Sequence, residues 1–364
     1  MPFGILDTQY IDFPDGVDVA YIQGLQSRSG MSFEELLQEI DDRLGAFNST
    51  LDPLVAELIY PTTEVKATND RPEALLPTER SEYALERPAQ ATPVKGHMLP
   101  IKGMGKALGF TEDGLRKASL SNVLRNIDAV LNGFKLGHRR DVLFRLFSPA
   151  EVPVDDEISV VSPAFAGSGT GTNVYEGVYP NGRPLEGDFT MYYFADTAGG
   201  AVAAVEAMLD AAIARWRKLK GVVATPDLVL SEALYTIVAQ STKFIAASSS
   251  LIRLSANDQE AIVDANTYTG VYDGKIKVRI PIDDFSTAHG ALIERSTALS
   301  PSNILRWRYD ELLGRNAFVR YRNQFPLAQS EIIQDYGIGV NDRTGAILLY
   351  AADGANEYVA PTFA

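Results

Sequence analysis

The stretch from residue 62 to 102 constrains this chain more than any other. Five prolines (Pro72, Pro77, Pro88, Pro93 and Pro100) stand there among many charges, with two short strand-like pieces around Glu82–Leu85 and Val94–Ile101. Proline removes a backbone donor and fixes φ, so neither a long helix nor a central strand is expected here. A segment of this kind builds no core of its own. It predicts either a disordered linker or a two-stranded arm that is stable only when laid on a neighbour.

The flanks are better signposted. Residues 1–30 lack periodicity and are punctuated by Gly4, Pro14, Gly16, Gly24 and Gly30, which predicts an extended arm. Ser32 and Glu35 then form a capping box, with Met31 and Leu36 as a hydrophobic staple. Phe33, Leu36, Leu37, Ile40, Leu44 and Phe47 recur every three or four residues, so this helix has one apolar face. Thr111, followed by Glu112 and Asp113, opens a second helical pattern. If continuous to Phe147 it would be a strut of roughly 50 Å at about 1.5 Å per residue, with Gly133 and Gly137 as candidate breaks. Gly103, Gly105 and Gly109 read as a loop leading into it.

Residues 151–194 are strand-like around the Gly167–Gly171 tract. A helix is expected over 200–220, stopped by Gly221, with Trp216 in its buried stripe. Another is expected over 226–240, with Thr225 as N-cap and Pro226 at the first helical position. Asp273-Gly274 signals a hairpin. Residues 276–282 alternate as a half-buried strand. Residues 303–314 look helical, while Phe318–Phe325, Glu331–Val340 and Ala346–Ala351 look like strands.

Composition narrows the chemistry. With 46% hydrophobic and 22% charged residues over 364 positions, the chain folds rather than staying disordered. No apolar run reaches the ~18–20 residues that span a bilayer, and no secretory signal heads the chain. Cysteine is absent, which excludes disulfides, thiolate metal sites and cysteine nucleophiles. The net charge of −14 is the wrong sign for coating nucleic acid. It is also unevenly spread: residues 1–70 carry −10, residues 71–147 carry +5 and residues 148–364 carry −9. An acidic N-terminal part and a basic middle part are therefore expected to meet, within one copy or between copies. The basic candidates are Arg71, Arg80, Arg87, Lys95 and Lys102; the acidic ones are Glu34, Glu35, Glu39, Asp41 and Asp42.

No catalytic pattern emerges. The Gly167–Gly171 tract lacks the Lys-Ser/Thr of a phosphate loop, and Asp155-Asp156-Glu157 lacks the spacing of a cation loop. The three histidines lie far apart, His97 in the Pro-rich stretch, His138 beside Arg139 and Arg140, and His289 in an expected loop. Neither an enzyme nor a cofactor or metal site is expected.

The order of elements, and the C-terminal stretch from Ser300 to Pro361 with its run IIQDYGIGVNDRTGAILL, resemble the major capsid proteins of tailed double-stranded-DNA bacteriophages. The resemblance implies the α+β Hong Kong 97-like fold, and that run is similar to the closing hairpin of such proteins. Residues 1–61 would be the N-terminal arm with its short helix and 62–103 the extended E-loop. Residues 104–194 would hold the spine helix and the first part of the peripheral domain, 195–299 the axial domain, and 300–364 the rest of the peripheral domain. The implied function is self-assembly as hexamers and pentamers into an icosahedral shell around packaged DNA, in the virion, after synthesis in the host cytoplasm. The implied partners are other copies, a portal, scaffold or decoration proteins in some members, and non-specific contact with DNA. The alternative is an encapsulin-type shell around protein cargo.

Overall fold

The computed structural model describes residues 33–64, 66–68, 96–98, 101–111, 120–148, 152–155, 158–160, 191–221, 224–247, 268–282, 285, 287–294, 298–324 and 327–362. In chain order the elements begin with α1 (Phe33–Ser49), α2 (Pro53–Leu58), β1 (Ile59–Thr62), β2 (Lys66–Thr68), β3 (Gly96–Met98), β4 (Lys102–Thr111) and α3 (Leu120–Phe147). Then come β5 (Val152–Asp155), β6 (Ile158–Val160), β7 (Tyr192–Asp196), α4 (Ala201–Lys220), β8 (Pro226–Ser231), α5 (Glu232–Val238) and β9 (Phe244–Ala246). The last are β10 (Tyr268–Tyr272), β11 (Ile276–Ile282), β12 (Ala288–Glu294), β13 (Leu305–Tyr309), β14 (Phe318–Gln324), β15 (Leu327–Val340) and β16 (Ala346–Ala352). They fall into two compact units, one of residues 1–55, 101–139 and 308–337, the other of residues 56–100, 140–307 and 338–364.

The first unit is built on α1 and the N-terminal part of α3. Ile40, Leu44 and Phe47 meet Ile127, Leu131 and Phe134, with Ala317 and Ile332 completing the core. Ile40, Leu44 and Phe47 belong to the apolar face predicted for α1. Phe47 and Phe134 pack edge to face with ring centres 6.5 Å apart. α3 runs unbroken through Gly133 and Gly137, neither of which was required to bend it. The Thr111 expectation fails, because Thr111 ends a strand. The glycines before it do not lead into a helix either. Lys102–Thr111 is a ten-residue strand that pairs antiparallel with β15, from Lys102 opposite Tyr336 to Thr111 opposite Leu327. A long partner strand supplies every hydrogen bond that the glycine-rich run could not organise locally. β14 pairs with the other side of β15, Phe318 opposite Ile333.

The second unit centres on a seven-stranded sheet ordered β7-β16-β12-β8-β11-β10-β9. β7 with β16 and β8 with β11 run parallel; the other pairs are antiparallel. α4 supplies Val205, Met208, Leu209, Ala212, Ile213, Trp216 and Leu219 to the core, with Leu228, Leu230, Leu292, Ile347 and Leu349 from the strands. Gly221 ends α4 at φ 92°, as glycine permits. The Asp273-Gly274 turn joins β10 to β11 with both residues at positive φ, 49° and 66°, the backbone that this dipeptide favours.

The helix expected over 226–240 begins six residues late. Pro226–Ser231 is a strand buried along its whole length, flanked by β12 and β11. Pro226 and Thr225 mimic a helix start, but Leu228, Val229 and Leu230 are enclosed from all sides, which no amphipathic helix allows. Its buried acid, Asp227, lies 3.5 Å from Arg279 Nη2 and accepts from Tyr268 Oη at 3.2 Å; Arg279 Nη1 also reaches Glu57 at 2.7 Å. The true N-cap is Ser231, whose Oγ accepts from Leu234 N at 3.4 Å.

Residues 303–314 likewise form no helix. Leu305 and Trp307 are buried between half-buried Arg306 and Arg308, the period-two pattern of β13, and a tight turn follows. β15 and β16 do not close a hairpin, since β16 inserts between β7 and β12 instead. His289 lies within β12 rather than in a loop. Of the expected strand pieces in the Pro-rich stretch, Val94–Ile101 contains β3, which pairs with β2, while Glu82–Leu85 lies outside the described residues. So does the Gly167–Gly171 tract.

Candidate subunit-contact surfaces

Of the ten charged candidates, Arg71, Arg80, Arg87 and Lys95 lie outside the described residues. Glu34 and Glu35 lie in the first turn of α1, and Lys102 is exposed at the start of β4. Glu39 is engaged within its own chain, accepting from Arg43 Nε at 2.9 Å one turn away. Arg43 also pairs with Asp128 of α3, and these two carboxylates, Asp128 foremost, raise the pKa of its guanidinium. Burial, helped by the neighbouring charge of Asp42, pushes the Asp41 carboxyl upward. Asp42 is exposed. The acidic face of α1 therefore serves its own unit first, and its exposed ion pair is worth about 0–1 kcal/mol.

The structure exposes apolar features that charge counting could not find. Leu136 (63% exposed) stands on the part of α3 in the first unit and Phe144 (49%) on the part in the second. A turn after β13 carries Leu312, 88% exposed, and Leu313, 47% exposed. Asp310 Oδ1 accepts from Leu312 N at 2.8 Å and Leu313 N at 3.2 Å, and Gly314 N donates to Asp310 O at 2.8 Å. Gly314 closes the turn at φ 74°, where glycine is unstrained. The returning chain is braced too. Asn48 Nδ2 donates to Ala317 O at 3.0 Å, Ala317 N donates to Asn48 Oδ1 at 2.9 Å, and Gln334 Nε2 donates to Arg315 O at 2.8 Å. The one signal in the sequence was the Leu-Leu-Gly run, which the helical reading of 303–314 absorbed.

Among the described residues no group of three His, Cys, Asp or Glu side chains is placed to hold a metal ion. Nor is any helix long and apolar enough to cross a membrane. His138 is buried with its ring against Phe47, Phe134 and Tyr336, the last edge to face at 5.1 Å.

No family model and no curated protein matches the sequence. Solved structures do. A chain from Mycobacterium phage Patience superposes with a TM-score of 0.58 at 16% identity, covering 94% of this chain and 94% of that one. The chain has the Hong Kong 97-like fold. Other solved structures superpose less closely. The capsid of Myoviridae phage XM1 gives a TM-score of 0.47 at 13% identity, covering 83% of this chain and 92% of that one. The capsid of a native GTA particle gives 0.48 at 14% identity, covering 83% and 92%.

Proposed function

We propose that this chain is a major capsid protein: copies assemble as hexamers and pentamers into a closed icosahedral shell around packaged double-stranded DNA. The observation that carries the reading is the Hong Kong 97-like fold shared with a phage chain along nearly the full length of both. The charge supports it, because a wall at net −14 contains DNA without gripping it, whereas a basic wall would bind phosphate strongly and without regard to sequence. In this reading residues 1–61 are the arm, 62–103 the E-loop, α3 the spine, 195–299 the axial domain, and 148–194 with 300–364 the peripheral domain. Arg71, Arg80, Arg87, Lys95 and Lys102 of one copy approach Glu34, Glu35, Glu39, Asp41 and Asp42 of another. A portal and, where used, scaffold or decoration proteins are further partners, and assembly takes place in the host cytoplasm. The test is electron microscopy of purified, nuclease-treated particles with an assay for protected DNA. Closed shells holding DNA are expected. Shells filled with protein would instead favour an encapsulin-type compartment, and a chain that stays monomeric at micromolar concentration would overturn the reading.

A further inference from the structure

A lone exposed leucine needs no account, but two consecutive ones on a braced turn do. Leu312 is the most exposed large hydrophobic side chain among the described residues, and Leu313 beside it is nearly half exposed. The backbone that presents them is fixed by the Asp310 and Gly314 hydrogen bonds before the tip and by the Asn48 and Gln334 bonds after it. A contact made here loses little conformational entropy, because the turn is already ordered.

The surrounding charge selects the partner. The residues at the tip carry both signs, Asp310 and Glu311 beside Arg315. The mixed signs are also self-complementary, since Glu311 of one tip can face Arg315 of the next when identical tips ring a symmetry axis. A partner of one sign would be repelled by part of this mixed tip, and a membrane surface would favour a basic one.

We infer that the turn at 310–314 is a homotypic contact, in which Leu312 and Leu313 of one copy pack against the same residues of a second copy of this chain. The inference rests on the shell reading above and names one of its contacts. The absence of cysteine from the chain makes a clean test possible. Leu312→Cys introduces the sole thiol, and a disulfide forms only between tips whose Cα atoms approach within about 7 Å. Oxidising assembled Leu312→Cys particles is expected to give dimers on a non-reducing gel, reversed by reductant. Leu312→Asp, at a position too exposed to disturb folding, is expected to keep the wild-type circular dichroism. It should also raise the concentration at which shells form by about tenfold or more. Shells of Leu312→Cys that do not cross-link, together with wild-type assembly of Leu312→Asp, would overturn the tip contact and leave the shell reading standing. A wild-type chain that never assembles would overturn both.

Discussion

Trp216 is 1% exposed, and its indole Nε1 donates to Ala224 O at 3.1 Å, so both the apolar body and the polar handle of the ring are satisfied. It lies in one cluster with Val205, Leu209 and Leu234, as the helical stripe predicts. Trp216→Ala should cost about 3–5 kcal/mol, read as a lowered denaturation midpoint at unchanged slope. His289 is a second residue whose setting dictates behaviour. Its ring packs among Phe147, Phe285, Tyr350 and Tyr358. Nε2 lies 2.8 Å from Val359 O and Nδ1 2.7 Å from Thr287 Oγ1. A carbonyl only accepts, so Nε2 carries a proton, and in the neutral ring Thr287 Oγ1 donates to Nδ1. Burial lowers its pKa from the ordinary 6.5. Above that value both folded and unfolded chains hold a neutral ring, and nothing is lost. As the pH falls from 6.5 toward the depressed native value, only the unfolded chain gains the proton, so stability declines with falling pH. The melting temperature should therefore drop between pH 7.5 and 5.5, and less steeply in His289→Gln. Equal slopes would refute the assignment.

At the scale of elements, Ser231 joins two of them. Its buried Oγ caps α5 through Leu234 N and also accepts from His289 N of β12 at 3.0 Å. Ser231→Ala removes the cap acceptor of Leu234 N and leaves His289 N only its 2.9 Å bond to Thr287 O, and should cost roughly 1–3 kcal/mol, as urea titration would show. What the sequence made legible follows a pattern. α1 and α4 could be read because each keeps one apolar and one polar face, and the β10–β11 turn because Asp273 and Gly274 suit positive φ. β8 could not, since a strand enclosed on every side carries no period and its Pro226 imitates a helix start. β4 was hidden because Gly103 and Gly105 look like loop, and only the long partner β15 makes them strand. The charged candidates were legible as composition, yet Glu39 is already engaged by Arg43. The tip leucines were missed because residues 303–314 read as helical, where β13 in fact alternates and a turn follows.

At the scale of the whole molecule, the order of the seven-stranded sheet departs most from the order of the chain. β16, made of Ala346–Ala352, lies second from the edge, bonded to β7 on one side and β12 on the other. Asp196 at the end of β7 accepts from Gly354 N at 2.8 Å just past β16, and Tyr358 Oη donates to Phe147 O at 2.8 Å. A chain ending at residue 345 loses an interior strand, not an edge. It should show no cooperative thermal transition for this unit by calorimetry, whereas a chain ending at 362 should melt like the full one. The same placement sets a timetable for synthesis. Some 156 residues separate the end of β7 from the end of β16, which a ribosome adds in roughly 8–30 s at about 5–20 residues per second. Throughout that interval β7 has no neighbour to pair with, and one edge of β12 stands open once it has emerged. The nascent chain thus carries an unprotected strand edge until β16 is joined, so the speed of translation between the codons of β7 and those of β16 governs how long it is exposed to mispairing with its own copies.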